Sequence, residues 1–165
     1  ASRGLGDVYK RQAQGGGSPP PDRLMIPASL FDRAVACIKS FEGWHYARHH
    51  PYIGYGHKLL PGEKLTCNLT KVQADSLLRA DLIKRCSTFR RFGKDALILA
   101  VLSYNVGEYR LLGSGRIPKS TLIRKLEAGN RDIYKEYISY CRYKGRRHAG
   151  LLKRRKTEFA LFFIP

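Results

Sequence analysis

The stretch that decides the fold is SFEGWHYARHHPYIGYGH, residues 40–57. From Glu42 to His57 it holds one carboxylate, four histidines, three tyrosines, three glycines and Trp44. Aromatic rings with polar rims stack well on sugar faces, and glycines let a ligand approach the backbone closely. A carboxyl group between Phe41 and Trp44 would be shielded from water, as a general acid that must hold its proton near neutral pH requires. We interpret this stretch as the chemical centre of the protein.

A helix is predicted directly before this centre. Ser29 fits an N-cap, and Asp32 completes a capping-box pattern three residues later. Apolar residues recur at helical spacing up to Phe41, and Gly43 supplies the stop. Glu42 therefore falls at the carboxyl end of an amphipathic helix. The alternative is that Glu42 is simply an exposed helix-end residue beside aromatic residues of the core.

The remaining chain predicts a small irregular sheet followed by helices. Strands are expected at residues 52–55 and 64–66. Thr70 is predicted to cap a helix running to residue 89, with Val72 and Leu78 on its apolar side. Residues 96–102 are apolar all round, which indicates a helix buried on every face and closing at residues 105–107. Further helices are predicted at residues 120–128, 131–142 and 151–162. The fold class is α+β, with an N-terminal helix and a small antiparallel sheet packed on a mainly helical bundle.

The charge is strongly basic, with 31 Lys and Arg against 13 Asp and Glu, or +18. Residues 1–24 are polar, rich in Gly and Pro, and lack the apolar core of a signal peptide. They hold four basic and two acidic residues, so the rest of the chain carries +16. We predict that residues 1–24 are a disordered, non-native extension, that Met25 is the native start, and that residues 25–165 form the domain. Such a domain attracts polyanions, whether nucleic acid, anionic lipid or acidic cell-wall polymer.

The cysteines predict no metal site. Cys37, Cys67, Cys86 and Cys141 are isolated in the sequence, without a CxxC pair or the Cys/His spacing of a zinc site. We expect buried or partly buried free thiols, and neither a metal nor a cofactor.

Two motifs in order, SFEG at residues 40–43 and YIGYGH at residues 52–57, resemble the signature of phage-type lysozymes, glycoside hydrolase family 24. The resemblance continues through LTKVQADSLLRADL (69–82), LILAVLSYNVG (97–107), STLIRKLEAGN (120–130) and GLLKRRKTEFALF (150–162). It implies a lysozyme-like fold with a cleft between two lobes. It also implies a muramidase, which cleaves the β-1,4 bond between N-acetylmuramic acid and N-acetylglucosamine in peptidoglycan.

The resemblance also implies roles for individual residues. Glu42 matches the acid that protonates the glycosidic oxygen. Alternatives are a structural role for His57, hydrogen-bonded within the hairpin, helix capping for Asn105, and a solvated basic face for Arg154 and Arg155. The residues expected to bind substrate are Trp44, Gly54, Tyr55, Gly56, His57, Asn105, Arg154 and Arg155.

The departure from the family pattern concerns the second catalytic group. Family members usually carry an aspartate between the glutamate and the Gly-x-Gly-His, and a threonine before the Ile-Gly. Here that interval is shorter and holds no second acid, and Tyr52 occupies the threonine position. Two-carboxylate glycosidases hold the pair about 5–9.5 Å apart. Three solutions stay open: His49 or His50 orients the water beside Tyr52, Glu63 supplies the acid, or the sugar's own hydroxyl attacks, as in single-glutamate lytic transglycosylases.

The expected partners are peptidoglycan and anionic cell-wall polymers. We expect a monomer with no nucleic-acid partner and no stable membrane insertion, made in the cytoplasm without a signal peptide and acting at the cell wall, in the periplasm or outside. Three alternatives compete with a muramidase: a single-acid lytic transglycosylase, a nucleic-acid-binding basic domain, and a catalytically inactive wall-binding relative. Glu42 inside an aromatic, Gly-rich stretch has no use in nucleic-acid binding, so that alternative ranks far behind.

Overall fold

A computed structural model describes residues 26–165. The described chain forms two compact units, residues 26–87 and Thr88–Pro165. The expectations for residues 1–24 and for Met25 lie outside the described residues. Within the described part, no helix combines the length and the apolar character that crossing a membrane requires.

The first unit consists of two helices and one short hairpin. Helix α1 spans Ala28–Glu42, and helix α2 spans Lys71–Thr88 at the end of the unit. Strands β1 (Tyr52–Ile53) and β2 (His57–Lys58) pair antiparallel, with Ile53 opposite His57. A 3-10 turn at Ala47–His49 precedes β1. The buried core residues of this unit include Val35, Ile38, Ile53, Leu78 and Leu82.

Helix α1 begins two residues earlier than the sequence predicts, with Pro27 rather than Ser29 at the N-cap. The carbonyl oxygen of Pro27 accepts from the amides of Leu30 and Phe31, each at 3.0 Å, and no side chain caps the helix. The predicted capping box of Ser29 and Asp32 is therefore wrong. The predicted stop at Gly43 is confirmed.

Helix α2 begins with the predicted cap. The amide of Gln73 donates to Thr70 Oγ1 at 3.1 Å, and the amide of Thr70 donates to Gln73 Oε1 at 3.0 Å. The assignment of Val72 to the apolar side is wrong, since 76% of its surface is exposed. The buried stripe instead follows helical spacing through Ala74, Leu78, Leu82 and Cys86.

The sheet is tighter than predicted. Among the described residues, 64–66 form no strand. The partner of β1 is β2, and only the three residues 54–56 separate the two strands. Gly54 and Gly56 make this possible, because both have positive φ, +56° and +97°, which glycine adopts without a steric penalty. The chain therefore reverses at once and pairs with the first residues available.

The second unit is mainly helical and surrounds one buried helix. Helix α3 spans Ala96–Val106, and every residue from Ala96 to Ser103 is buried, as predicted. It contacts the last helix, α7 (Ala149–Phe162), and the short α4 (Glu108–Leu112). The remaining elements are a 3-10 segment at Arg90–Asp95, α5 (Thr121–Glu127), α6 (Tyr134–Ile138), β3 (Arg142–Tyr143) and β4 (Arg146–Arg147).

The helix predicted at residues 131–142 is wrong over most of its length. Only Tyr134–Ile138 is helical, and the following residues form the hairpin β3–β4. Its turn holds Lys144 and Gly145 with φ values of +50° and +77°. Positive φ at both central residues is the geometry that joins two strands most tightly, and the glycine favours it.

The four thiols are free and buried or partly buried, as predicted. Burial raises the pKa of Cys86 to about 12, so this thiol stays protonated. Within residues 26–165, no three or more His, Cys, Asp or Glu side chains converge as metal ligands.

Leu99→Asp in α3 should unfold the protein, because the Leu99 side chain has no exposed surface and an unpaired buried charge costs about 4 kcal/mol or more. Val72→Asp is the matched control, since it places the same charge on an exposed helical position. Thermal unfolding followed by circular dichroism measures both. An unchanged melting temperature for Leu99→Asp would show that α3 is not the central helix.

Candidate active site

Glu42 is the last residue of α1, and its carboxylate lies over the hairpin. A Cβ added to Gly56 would lie 3.2 Å from Glu42 Oε2 and 3.5 Å from its carboxyl carbon. Any side chain at residue 56 would therefore push against the carboxylate. The turn at Gly43, with φ +65°, sends the chain away from the helix end and leaves Glu42 partly exposed. The sequence thus places its one local acid against the backbone of the glycine-rich turn.

The predicted aromatic residues Trp44 and Tyr55 are brought together. Their rings meet edge to face, with centroids 5.2 Å apart. Lys39 Nζ lies 5.0 Å from the centre of the Tyr55 ring and donates to Asp75 Oδ1 at 2.5 Å. Tyr55 is therefore held from α1 and flanked by Trp44, and it offers an apolar edge beside a polar hydroxyl.

His45 is the residue that sequence reasoning missed. Its backbone amide donates to the carbonyl oxygen of Gly54 at 2.8 Å, and its Nδ1 lies 3.1 Å from the same oxygen. Its Cε1 would lie 3.6 Å from a Cβ on Gly56, so His45 and Glu42 border the same glycine. The sequence held one signal, the position three residues after Glu42. The contact with the carbonyl oxygen of Gly54, which orients the ring, is a tertiary contact.

Of the predicted catalytic residues His49, His50 and Tyr52, the first and the last lie next to His45. His49 Nδ1 accepts from the amide of Tyr46 at 2.8 Å, and its ring packs edge to face on His45 at 5.3 Å. The pKa of His49 is lowered by desolvation and by the nearby Arg48 and His45. Tyr52 is half-exposed, with its ring 6.2 Å from that of His45, and His50 is exposed. The catalytic roles of these three residues stay predictions.

His57 is buried and clamped between two carboxylates. Its Nδ1 lies 2.6 Å from Asp81 Oδ2, and its Nε2 lies 2.9 Å from Glu63 Oε2. Burial by itself lowers the pKa of His57, but hydrogen bonds and charge from Asp81 and Glu63 outweigh it, and the net shift is upward. Both ring nitrogens are engaged, which supports the structural role considered for His57. Its partners lie on α2 and in the loop after β2, however, and not within the hairpin.

Glu63 makes two contacts that hold the loop after β2. Its carboxylate accepts from the amide of Leu60 at 2.8 Å as well as facing His57. Burial raises the pKa of Glu63, but these two contacts prevail and lower it. A carboxylate that anchors the loop in this way is poorly suited to be the missing second acid. Asp81 was not anticipated, because nothing in its spacing within the sequence indicates a contact with His57.

In the second unit, Asn105 is held by a buried ion network. Its Oδ1 accepts from Arg155 Nη2, while Arg155 donates to Glu158 at 2.6 Å and to the carbonyl of Tyr140 at 3.0 Å. Arg154 donates to Glu158 at 3.2 Å. Burial raises the pKa of Glu158 even though both arginines act against it.

The solvated basic face considered for Arg154 and Arg155 is wrong, because both side chains are buried. Substrate binding by Asn105 and the two arginines stays a prediction. Since Arg155 is fully enclosed, its influence on a ligand would pass through Asn105, which is exposed. Glu158 was missed. Its spacing of three and four residues after the arginines is the helical ion-pair pattern that could have indicated it.

A helix-end glutamate over a glycine-rich hairpin, followed by a helix buried on every side, is the arrangement that the resemblance to phage-type lysozymes implies. The family model described as phage lysozyme matches residues 39–158. The endolysin of Bacillus phage B103 is 32% identical over 153 residues, covering 81% of this chain and 54% of that protein. The chain belongs to the phage lysozyme family, and it spans about half the length of this relative.

His57→Asn should destabilise the protein in a pH-dependent way. The raised pKa of His57 means that its contribution is fully present below the unfolded value of about 6.5 and is lost as the pH rises through the folded value. The lowered pKa of Glu63 adds stability that is lost as the pH falls below about 4.3. The difference in melting temperature from the unsubstituted protein should therefore be largest near pH 5–6.

Thermal unfolding between pH 4 and pH 9 measures this difference. His50→Asn, which changes an exposed histidine, is the control and should show no such dependence. A destabilisation by His57→Asn that is constant across the range would contradict a charged His57.

Proposed function

We propose that this protein cleaves peptidoglycan as a muramidase, at the β-1,4 bond between N-acetylmuramic acid and N-acetylglucosamine. The observation that carries the proposal is the carboxylate of Glu42 lying 3.2 Å from where a Cβ on Gly56 would be. Family membership supports the reaction class, and the glycine-rich turn supports access of a bulky saccharide to the acid. Glu42 donates its proton to the glycosidic oxygen as the bond to the leaving sugar breaks. Such proton donation accelerates a reaction about 10²–10⁴-fold.

Sugar recognition is assigned to the surroundings of Glu42. Trp44 and Tyr55 present ring surface on which a pyranose face can stack, and Gly56 leaves the backbone beside Glu42 without a side chain. Gly54 is buried, and a Cβ there would lie 3.1 Å from that of Ala74, so its proposed contribution is through the backbone alone. His57 lies in the same hairpin, and its contacts with Asp81 and Glu63 hold the hairpin in place. Within the second unit, Asn105, Arg154 and Arg155 are proposed separately to supply hydrogen-bonding groups to the polymer.

The basic surface is assigned to anionic polymers of the cell wall. Residues 142–150 are all exposed, and the hairpin β3–β4 presents Arg142, Lys144, Arg146 and Arg147. Arg142 and Arg147 also line a hollow of about 270 Å³ together with Lys135. Clustered cations raise the local concentration of a polyanion and the rate of encounter with it. The protein would therefore concentrate at the wall where its substrate lies.

A single-acid lytic transglycosylase is the second candidate. The short interval after Glu42, which holds no second carboxylate, favours it. In that reaction the muramic acid's own hydroxyl attacks, and the product carries 1,6-anhydromuramic acid. Mass spectrometry of digestion products separates the two reactions.

Glu42→Gln should abolish wall lysis and leave the fold intact, because the amide keeps the shape of the side chain and cannot donate the proton. The assay is loss of turbidity of a purified cell-wall suspension, with melting temperature as the fold check. Glu127→Gln is the matched control, since Glu127 lies in exposed ion pairs with Arg91 and Lys119, and it should keep full activity. More than a tenth of normal activity in Glu42→Gln would overturn the assignment.

Wall binding should weaken as salt rises to about 0.3 M, because added salt screens the attraction between the basic surface and the anionic polymer. The Debye length is about 8–10 Å at 0.10–0.15 M and shortens further above that concentration. The double substitution Lys144→Gln, Arg146→Gln should lower binding several-fold and flatten the salt dependence. Arg33→Gln, Lys71→Gln removes the same charge from exposed positions of the first unit and serves as control. Sedimentation with cell walls measures all three proteins. Equal binding by all of them would leave the hairpin without this role.

A further inference from the structure

We propose that His45 is the catalytic base of this protein, in place of the aspartate that its sequence lacks. The inference rests on the proposed function and adds to it the group that activates the water. His45 Nε2 removes a proton from a water molecule on the side of the sugar opposite the leaving oxygen, while Glu42 protonates that oxygen.

The first support is the placement of the two groups. Glu42 Oε2 lies 3.2 Å, and His45 Cε1 3.6 Å, from one point, the Cβ position on Gly56. Glu42 Oε2 and His45 Cε1 are thus less than about 7 Å apart, so the acid and the base border the same position at Gly56. Both belong to one continuous piece of the first unit, held by the end of α1 and the hairpin.

The second support is the protonation state that the contacts impose on His45. Its Nδ1 lies 3.1 Å from the carbonyl oxygen of Gly54, and a carbonyl oxygen only accepts hydrogen bonds. The hydrogen of a neutral His45 therefore sits on Nδ1. Nε2 then carries the lone pair, which a general base needs. The amide of His45 donates to the same oxygen at 2.8 Å, so the backbone and the ring are fixed together.

The opposite arrangement holds for His49. Its Nδ1 accepts from the amide of Tyr46 at 2.8 Å, which places the hydrogen of a neutral ring on Nε2. His49 then offers a donor where a base must offer a lone pair. Its ring packs against His45 at 5.3 Å and supports the orientation of that ring. The geometry therefore favours His45 over His49 as the base.

The step is a single displacement. The water oxygen bonds to the anomeric carbon, and the bond from that carbon to the leaving oxygen breaks. One proton passes from water to His45 Nε2, and another passes from Glu42 to the leaving oxygen. Solvent then takes the proton from His45 and returns one to Glu42. Attack from the opposite side gives a product of inverted configuration with a reducing end.

His45→Asn and His45→Asp test the proposal. The asparagine side chain can still donate to Gly54 but has no basic nitrogen, so kcat should fall about 10²-fold or more while the melting temperature is kept. The aspartate restores a base, and activity should partly return. An aspartate titrates about 2–3 pH units below a histidine, so the acidic limb of the kcat–pH profile should move down by about that amount. Glu42, His49 and Tyr52, which face His45, are unchanged in both variants.

Arg48→Gln, in the 3-10 turn that follows His45 in the chain, is the control and should keep normal kcat. Products of the unsubstituted protein should carry reducing-end muramic acid, with the inverted anomer formed first. More than a tenth of normal kcat in His45→Asn, anhydro products, or an unmoved acidic limb in His45→Asp would each overturn the role of His45. If the unsubstituted protein releases no fragments from cell walls, the proposed function itself fails. Activity that depends on Glu42 but not on His45 overturns only the inference about His45.

Discussion

The site depends on one close approach, that of the Glu42 carboxylate to the backbone at Gly56. With 3.2 Å between the carboxylate and the Cβ position, a side chain at residue 56 would displace the carboxylate, and the positive φ of Gly56 favours glycine a second time. The same glycine closes the reversal that pairs β1 with β2. The acid, the turn and the hairpin are therefore one arrangement. A change at residue 56 would disturb all three.

Two charged networks hold the surroundings of the proposed sites in place. In the first unit, His57 joins the hairpin to α2 through Asp81 and to the following loop through Glu63. In the second, Glu158 joins Arg154, Arg155 and the hydroxyl of Tyr137. Buried charges of this kind add little net stability, but removing one partner strands the other. They define geometry more than they add free energy.

The short interval after Glu42 changes which side chain lies beside the acid. Only nine residues, 43–51, join the helix end at Glu42 to β1 at Tyr52, and none of them is an acid. The shorter chain instead brings His45 against Gly54 directly after the helix. A histidine fixed by a carbonyl oxygen presents a basic nitrogen without adding negative charge beside Glu42. The two groups can therefore lie close together without the repulsion that a pair of carboxylates would experience.

The sequence by itself determined the features that local chemistry dictates. The end of α1 at Gly43, the cap at Thr70, the all-round burial of α3, the candidate acid Glu42 and the resemblance to phage lysozymes could all be read from residue type and spacing. Residues 64–66 and 131–142 could not, because a tight turn depends on positive φ at one or two residues rather than on the hydrophobic pattern.

Only the tertiary structure decided which charged and polar side chains meet. His45 against Gly54, Asp81 and Glu63 against His57, and Arg155 against Asn105 are contacts between residues 6 to 50 positions apart in the chain. Their spacing carries no signal of its own. Polar groups taken out of water must find partners wherever the packed chain provides them, and only packing determines where that is.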